Sequence, residues 1–65
     1  MGKYNFEMIR KRRKELGMTQ LELARKTDVT REHIIVLEKG RKLPRADLLG
    51  KLAKTLKVRE DYFFL

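Results

Sequence analysis

The chain has 65 residues, 17 Lys+Arg against 9 Asp+Glu, and a formal net charge of +8. That length suits one small domain, which buries only about 60% of the surface its unfolded chain exposes. With no Cys, no Ser and a single His (His33), a Ser or Cys nucleophile is impossible and a zinc site lacks its ligands. The hydrophobic fraction of 42% fits a folded chain rather than a disordered one. No run approaches the ~18 apolar residues of a membrane helix, and the first residues contain no apolar leader. The expectation is a cytoplasmic protein that is not an enzyme and needs no cofactor or metal. The excess of positive charge points to a polyanionic partner, nucleic acid before any other.

The periodicity is helical throughout, and Gly17, Gly40 and Pro44 mark the breaks. A first helix is predicted from about Phe6 to Leu16, with Asn5 as N-cap and Gly17 just past its end. At about 100° per residue, Phe6, Ile9, Arg13 and Leu16 share one apolar stripe. Arg13 therefore points inward, while its neighbours in the run Arg10-Lys11-Arg12-Arg13-Lys14 are read as a solvated face. Thr19-Gln20-Leu21-Glu22 is a capping box that opens a short second helix ending near Thr27, with Leu23 and Ala24 inward. Asp28-Val29-Thr30 turns the chain, Asp tolerating a left-handed conformation better than most residues. Thr30 caps a third helix, Arg31 to about Lys39, which Gly40 ends. A fourth helix runs from about Ala46 to Leu56 with Ala46, Leu49, Leu52, Ala53 and Leu56 on one face. A short fifth helix, about Glu60 to Phe64, closes the chain.

The second and third helices, joined by about three residues, have the spacing of a helix-turn-helix, whose second helix enters the DNA major groove. The residues along them are informative beyond spacing. Gly17-Met18-Thr19-Gln20, Glu22-Leu23-Ala24, Val29-Thr30-Arg31, Ile34, Leu37-Glu38-Lys39-Gly40, Pro44 and Leu52-Ala53-Lys54 together resemble the Cro/CI (XRE) helix-turn-helix family of bacterial and phage repressors. The resemblance spans about residues 6–63. It implies an all-α, compact, five-helix lambda-repressor-like DNA-binding domain filling the chain, dimeric on palindromic operators and without enzymatic activity. Asp28 stands where the family usually has Gly, Thr27 at a commonly apolar site, and Arg45 where Ser or Thr usually caps the fourth helix. Ile35 and Val36 stand where polar residues are common.

A helical wheel sorts the third helix. Ile34, Leu37 and Glu38 fall in one arc of about 100°, the buried one; Glu32, Ile35, Val36 and Lys39 fall opposite, flanked by Arg31 and His33. Arg31 can fork onto guanine O6 and N7, and Glu32 can accept from cytosine N4. Ile35 and Val36 can pack on thymine methyls, or else form a partner or self-association patch. His33 is assigned to phosphate or to no role. Gln20, at the opening of the second helix, stands where free amides favour a phosphate, and Thr30, the cap of the third, is also a candidate DNA contact. Lys39, Arg41, Lys42 and Arg45 form a basic cluster after the recognition helix, while Lys51, Lys54 and Lys57 are read as surface charge.

Two further expectations follow. Arg13 and Glu38 are both charges on buried stripes, so they should pair, and the resemblance implies the same. A homodimer on double-stranded DNA should form through the 41–44 loop and the C-terminal helices, because Tyr62-Phe63-Phe64-Leu65 offers more apolar surface than one short helix can bury, and Gly50 permits close approach of a neighbour. The functional reading is a sequence-specific transcriptional regulator, a repressor acting by occupancy. The alternatives are an antitoxin-type interaction module with a protein partner such as a toxin, and a non-specific nucleic-acid binder.

Overall fold

The computed structural model describes residues 3–64, so Leu65 lies outside it. Four α-helices follow one another: α1 Glu7–Glu15, α2 Gln20–Thr27, α3 Arg31–Glu38 and α4 Ala46–Leu56, and a 3-10 turn, Glu60–Phe63, ends the series. The fifth element is therefore not an α-helix. Four residues close too few i→i+4 bonds to sustain one, and the tighter i→i+3 pattern suits so short a piece.

Local chemistry sets the boundaries. The Thr19 hydroxyl accepts from the Glu22 amide at 3.1 Å while the Thr19 amide donates to Glu22 Oε1 at 2.8 Å, so the capping box is complete. These bonds, the backbone one foremost, hold the Glu22 carboxyl below its ordinary pKa. Asp28 adopts φ 61°, ψ 43° at the end of α2, and Lys57 a similar left-handed conformation (φ 59°) at the end of α4. Thr30 caps α3 by accepting from the His33 amide at 3.1 Å. α1 starts one residue later than expected: Phe6 is its boundary residue, and Asn5 Oδ1 instead accepts from the Glu7 amide at 3.2 Å.

Ile9, Leu23, Ile34, Leu37, Leu52, Leu56 and Phe63 are fully buried and form the centre of the core. The buried arc of α4 is turned by roughly 20–40° from its expected position: Leu48 is buried, Leu49 is half-buried and Ala46 is exposed. Phe6 is also corrected, being exposed rather than part of the apolar stripe. Its ring lies over Gly40, whose φ of +74° needs glycine and where a Cβ would overlap the Phe6 ring. Thr27, at a site where an apolar residue is expected, is buried with its hydroxyl satisfied by Leu23 O at 2.7 Å.

The two ends of the described chain meet. Tyr4 and Phe64 form an isolated antiparallel bridge, the Asn5 amide donates to Phe63 O at 2.7 Å, and the rings of Tyr4 and Phe64 contact edge-on with centroids 6.0 Å apart. Tyr62 and Phe64 are half-buried against the core, so they are not the free apolar patch that the C-terminal sequence suggested. At Gly50 a Cβ would meet Glu60 Oε2 at 3.5 Å, an ordinary contact distance.

Candidate nucleic-acid interface

A buried charge cluster anchors the helix pair. Arg13 Nε donates to Glu38 Oε2 at 2.7 Å and Arg13 Nη2 to Glu38 Oε1 at 3.1 Å, a two-point contact between α1 and α3. The third guanidinium nitrogen, Nη1, donates to Met18 O at 2.8 Å. Gln20 Nε2 adds a bond to Glu38 Oε1 at 3.2 Å. The guanidinium thus holds together the last turn of α3 and the chain entering α2, while Gln20 ties the first residue of α2 to the same carboxylate. Two helices on a short turn gain a defined crossing from bonds of this kind, which are directional where apolar packing is not.

Beside that cluster stands Tyr4. Its hydroxyl is buried without a hydrogen-bond partner. Burial, and then the charge of Glu38, push its pKa up to about 12.

The surface above the cluster is open. Arg31 and Glu32 are exposed and His33, Ile35 and Val36 are half-buried, all on α3. Lys39, Arg41, Lys42 and Arg45 are exposed on the segment that follows. Among the described residues, no side-chain hydrogen bond or ion pair engages the charged members of this set, and none joins Arg31 to Glu32. The side chain of Arg45 makes no cap for α4. Gln20 differs from the rest: it is half-buried, and one of its amide protons is committed to Glu38. Since the capping box engages the amides of Thr19 and Glu22, those of Gln20 and Leu21 remain at the N-terminus of α2. The Thr30 oxygen accepts from His33, which leaves its hydroxyl proton to donate.

The basic run of α1 divides in a way that its charge alone conceals. Arg12 Nε donates to Leu56 O at 2.9 Å, at the C-terminal end of α4, and Nη1 reaches Glu15 at 3.3 Å. Arg12 is thus a structural link, not a member of a solvated face. Arg10 borders a groove of about 310 Å³ together with Gln20, Ile35 and Lys39. Arg10 is not singled out by the sequence, although its position three residues before Arg13 places it near the inward stripe.

Comparison with known proteins agrees with this architecture. A helix-turn-helix family model matches residues 9–63. The chain belongs to the helix-turn-helix family. An uncharacterized HTH-type transcriptional regulator of Methanothermobacter thermautotrophicus is 50% identical over 60 residues, covering 89% of this chain and 87% of that protein. Another from Archaeoglobus fulgidus is 48% identical over 56 residues, covering 85% of this chain and 80% of its own length. Among solved structures, the P22 c2 repressor in complex with a synthetic operator superposes with a TM-score of 0.89 at 31% identity, over 95% of this chain and 94% of that one. No helix of the described residues is long and apolar enough to cross a membrane.

Proposed function

We propose that this protein is a sequence-specific DNA-binding transcriptional regulator, a repressor that works by covering its operator as a homodimer. The observation that carries the reading is the outward face of α3. A helix held at a defined angle by the Arg13–Glu38 cluster leaves Arg31 and Glu32 exposed without hydrogen-bond or ion-pair partners among the described residues, beside the half-buried Ile35 and Val36. Exposed charges beside partly exposed apolar side chains, fixed on one short helix, suit base edges in a major groove. The similarity to a repressor structure that contains operator DNA supports the same reading.

Roles follow from chemistry. Arg31 reads guanine, Glu32 reads cytosine, and Ile35 with Val36 covers thymine methyls. Thr30, the N-terminus of α2 at Gln20, and the cations Lys39, Arg41, Lys42 and Arg45 hold phosphates. His33 flanks them as a phosphate contact. No chemical step is required, and the work is done in the cytoplasm, where the template is.

One short helix makes few base contacts, so two copies on half-sites about one helical turn apart are needed for specificity. Leu43 is 70% exposed on the loop between α3 and α4. That loop, rather than Tyr62 or Phe64, supplies the apolar contact of the dimer. Selection of bound duplexes from a random pool tests the reading. An enriched two-fold motif, bound by two chains per duplex in sedimentation, is expected. Equal competition by random duplex, or one chain per duplex at saturation on a two-fold site, would overturn it.

A further inference from the structure

The notable feature outside the helix-turn-helix is a second, larger groove of about 810 Å³ between the start of α1 and the end of α3. Arg10, Lys11, Lys39 and Arg41 border it, with Glu7 and Glu38. Arg10, Glu38 and Lys39 also border the smaller groove beside Gln20, so the two grooves share one ridge. All four cations are exposed. Among the described residues, none is engaged by a side-chain hydrogen bond or an ion pair, whereas Arg12 and Arg13 of the same helix are both engaged.

The charge of the floor is already compensated. Both oxygens of Glu38 accept from Arg13, and Gln20 adds a third bond. An anion entering the groove therefore meets four cations and one uncompensated carboxylate, Glu7. Cations brought together without counter-charges repel one another, and an extended polyanion relieves that repulsion along its length. A compact anion would satisfy one or two of them only. The groove is open, and across the shared ridge lies the smaller groove bordered by Ile35 of α3, a course that suits a sugar-phosphate strand leaving the major groove.

Resting on the DNA-binding reading above, we propose that α1 forms a second wall of the interface: Arg10 of α1 and Lys39, just past the end of α3, grip one backbone phosphate, and Lys11 and Arg41 extend the track. Arg10 is a phosphate contact here, not a base reader. Glu7 limits the track at its far end.

The test measures binding of the pool-selected duplex and of a random duplex across a salt series, for wild type, Arg10→Ala, Arg10→Lys and Glu7→Gln, with Lys51→Ala as the control on the surface of α4. Arg10→Ala should weaken both duplexes alike and flatten the salt dependence by roughly 0.9 of a log unit per log unit of salt, the effect of one phosphate. Between 50 and 200 mM salt, wild type should then lose about 3.5-fold more affinity than the variant. Arg10→Lys should restore the slope, Glu7→Gln should tighten binding of both duplexes, and Lys51→Ala should change nothing. The thermal midpoint should be unchanged by Arg10→Ala, since no bond is lost. If Arg10→Ala keeps the wild-type slope while Arg31→Ala loses base preference, the second wall is overturned and the DNA-binding reading stands. Loss of preference at a single base pair in Arg10→Ala would equally overturn the phosphate assignment. If wild type does not prefer the selected duplex, the underlying reading fails instead.

Discussion

Replacing Arg13 with leucine removes three hydrogen-bond donors at once from a buried site. Glu38 Oε1 and Oε2 lose partners at 3.1 and 2.7 Å, and Met18 O loses one at 2.8 Å. Glu38, 8% exposed in the intact fold, would then be held by Gln20 alone. Breaking a buried pair by deleting one partner costs about 3–5 kcal/mol. At about 0.05–0.15 kcal/mol per residue, a chain of this length has a total stability of roughly 3–10 kcal/mol. The single variant should therefore lose between about a third and all of the stability of the fold. Glu38→Gln, which strands the guanidinium but keeps one acceptor, should cost less. The double variant Arg13→Met/Glu38→Leu removes both charges and should recover at least about 2 kcal/mol relative to Arg13→Leu, because apolar replacement of a buried pair is often neutral or stabilising. It should not recover fully, since Met18 O and the Gln20 amide lose partners worth about 1 kcal/mol each. Urea unfolding followed by circular dichroism, on Arg13→Met, Glu38→Leu and the double variant that combines them, measures the coupling. Singles that each cost under about 1 kcal/mol and simply add would refute the argument.

The remaining predictions use other parts of the fold. Tyr4 binds its proton more tightly when folded, so stability that is complete below pH 10 should fall between pH 10 and about 12 as the unfolded chain ionises first; Tyr4→Phe should remove that part of the loss and, by deleting an unpartnered buried hydroxyl, should not destabilise at neutral pH. Denaturation midpoints across that pH range, with and without the substitution, check both statements. Lys57→Gly should stabilise by about 0.5–1 kcal/mol by relieving a left-handed lysine, whereas Gly40→Ala should cost more than Gly17→Ala, because only Gly40 lies under the Phe6 ring; thermal melts rank the three. Arg45→Ser should cap α4 and stabilise by about 0.5–2 kcal/mol while weakening DNA binding, a divergence that a melt and a titration read together. Arg31→Ala should relax preference at one base pair at a cost of about 1–3 kcal/mol, and Lys42→Ala should weaken all sequences alike with a shallower salt dependence; uniform loss in Arg31→Ala would make Arg31 a phosphate clamp.

What could be read from the sequence was whatever neighbours along the chain decide. The Thr19–Glu22 box, the left-handed Asp28 and the glycine after α3 depend on bonds spanning a few residues, so the boundaries of α2 and α3 were legible. The 3.6-residue period likewise separated Ile34, Leu37 and Glu38 from the outward residues of α3. The tertiary structure decided what depends on how helices cross. Arg12 meets a carbonyl 44 positions away, and Tyr4 meets Phe64 at the other end of the described chain. Phe6 leaves the core to cover Gly40, Gln20 turns one amide proton to Glu38, and Arg10 and Lys39 border a common groove. A wheel fixes the direction of a side chain about its own axis but not what a second axis brings opposite it. The same run of five cations on one helix therefore held a link to α4, a buried anchor and an open groove wall, and only the packing of that helix against the others told them apart.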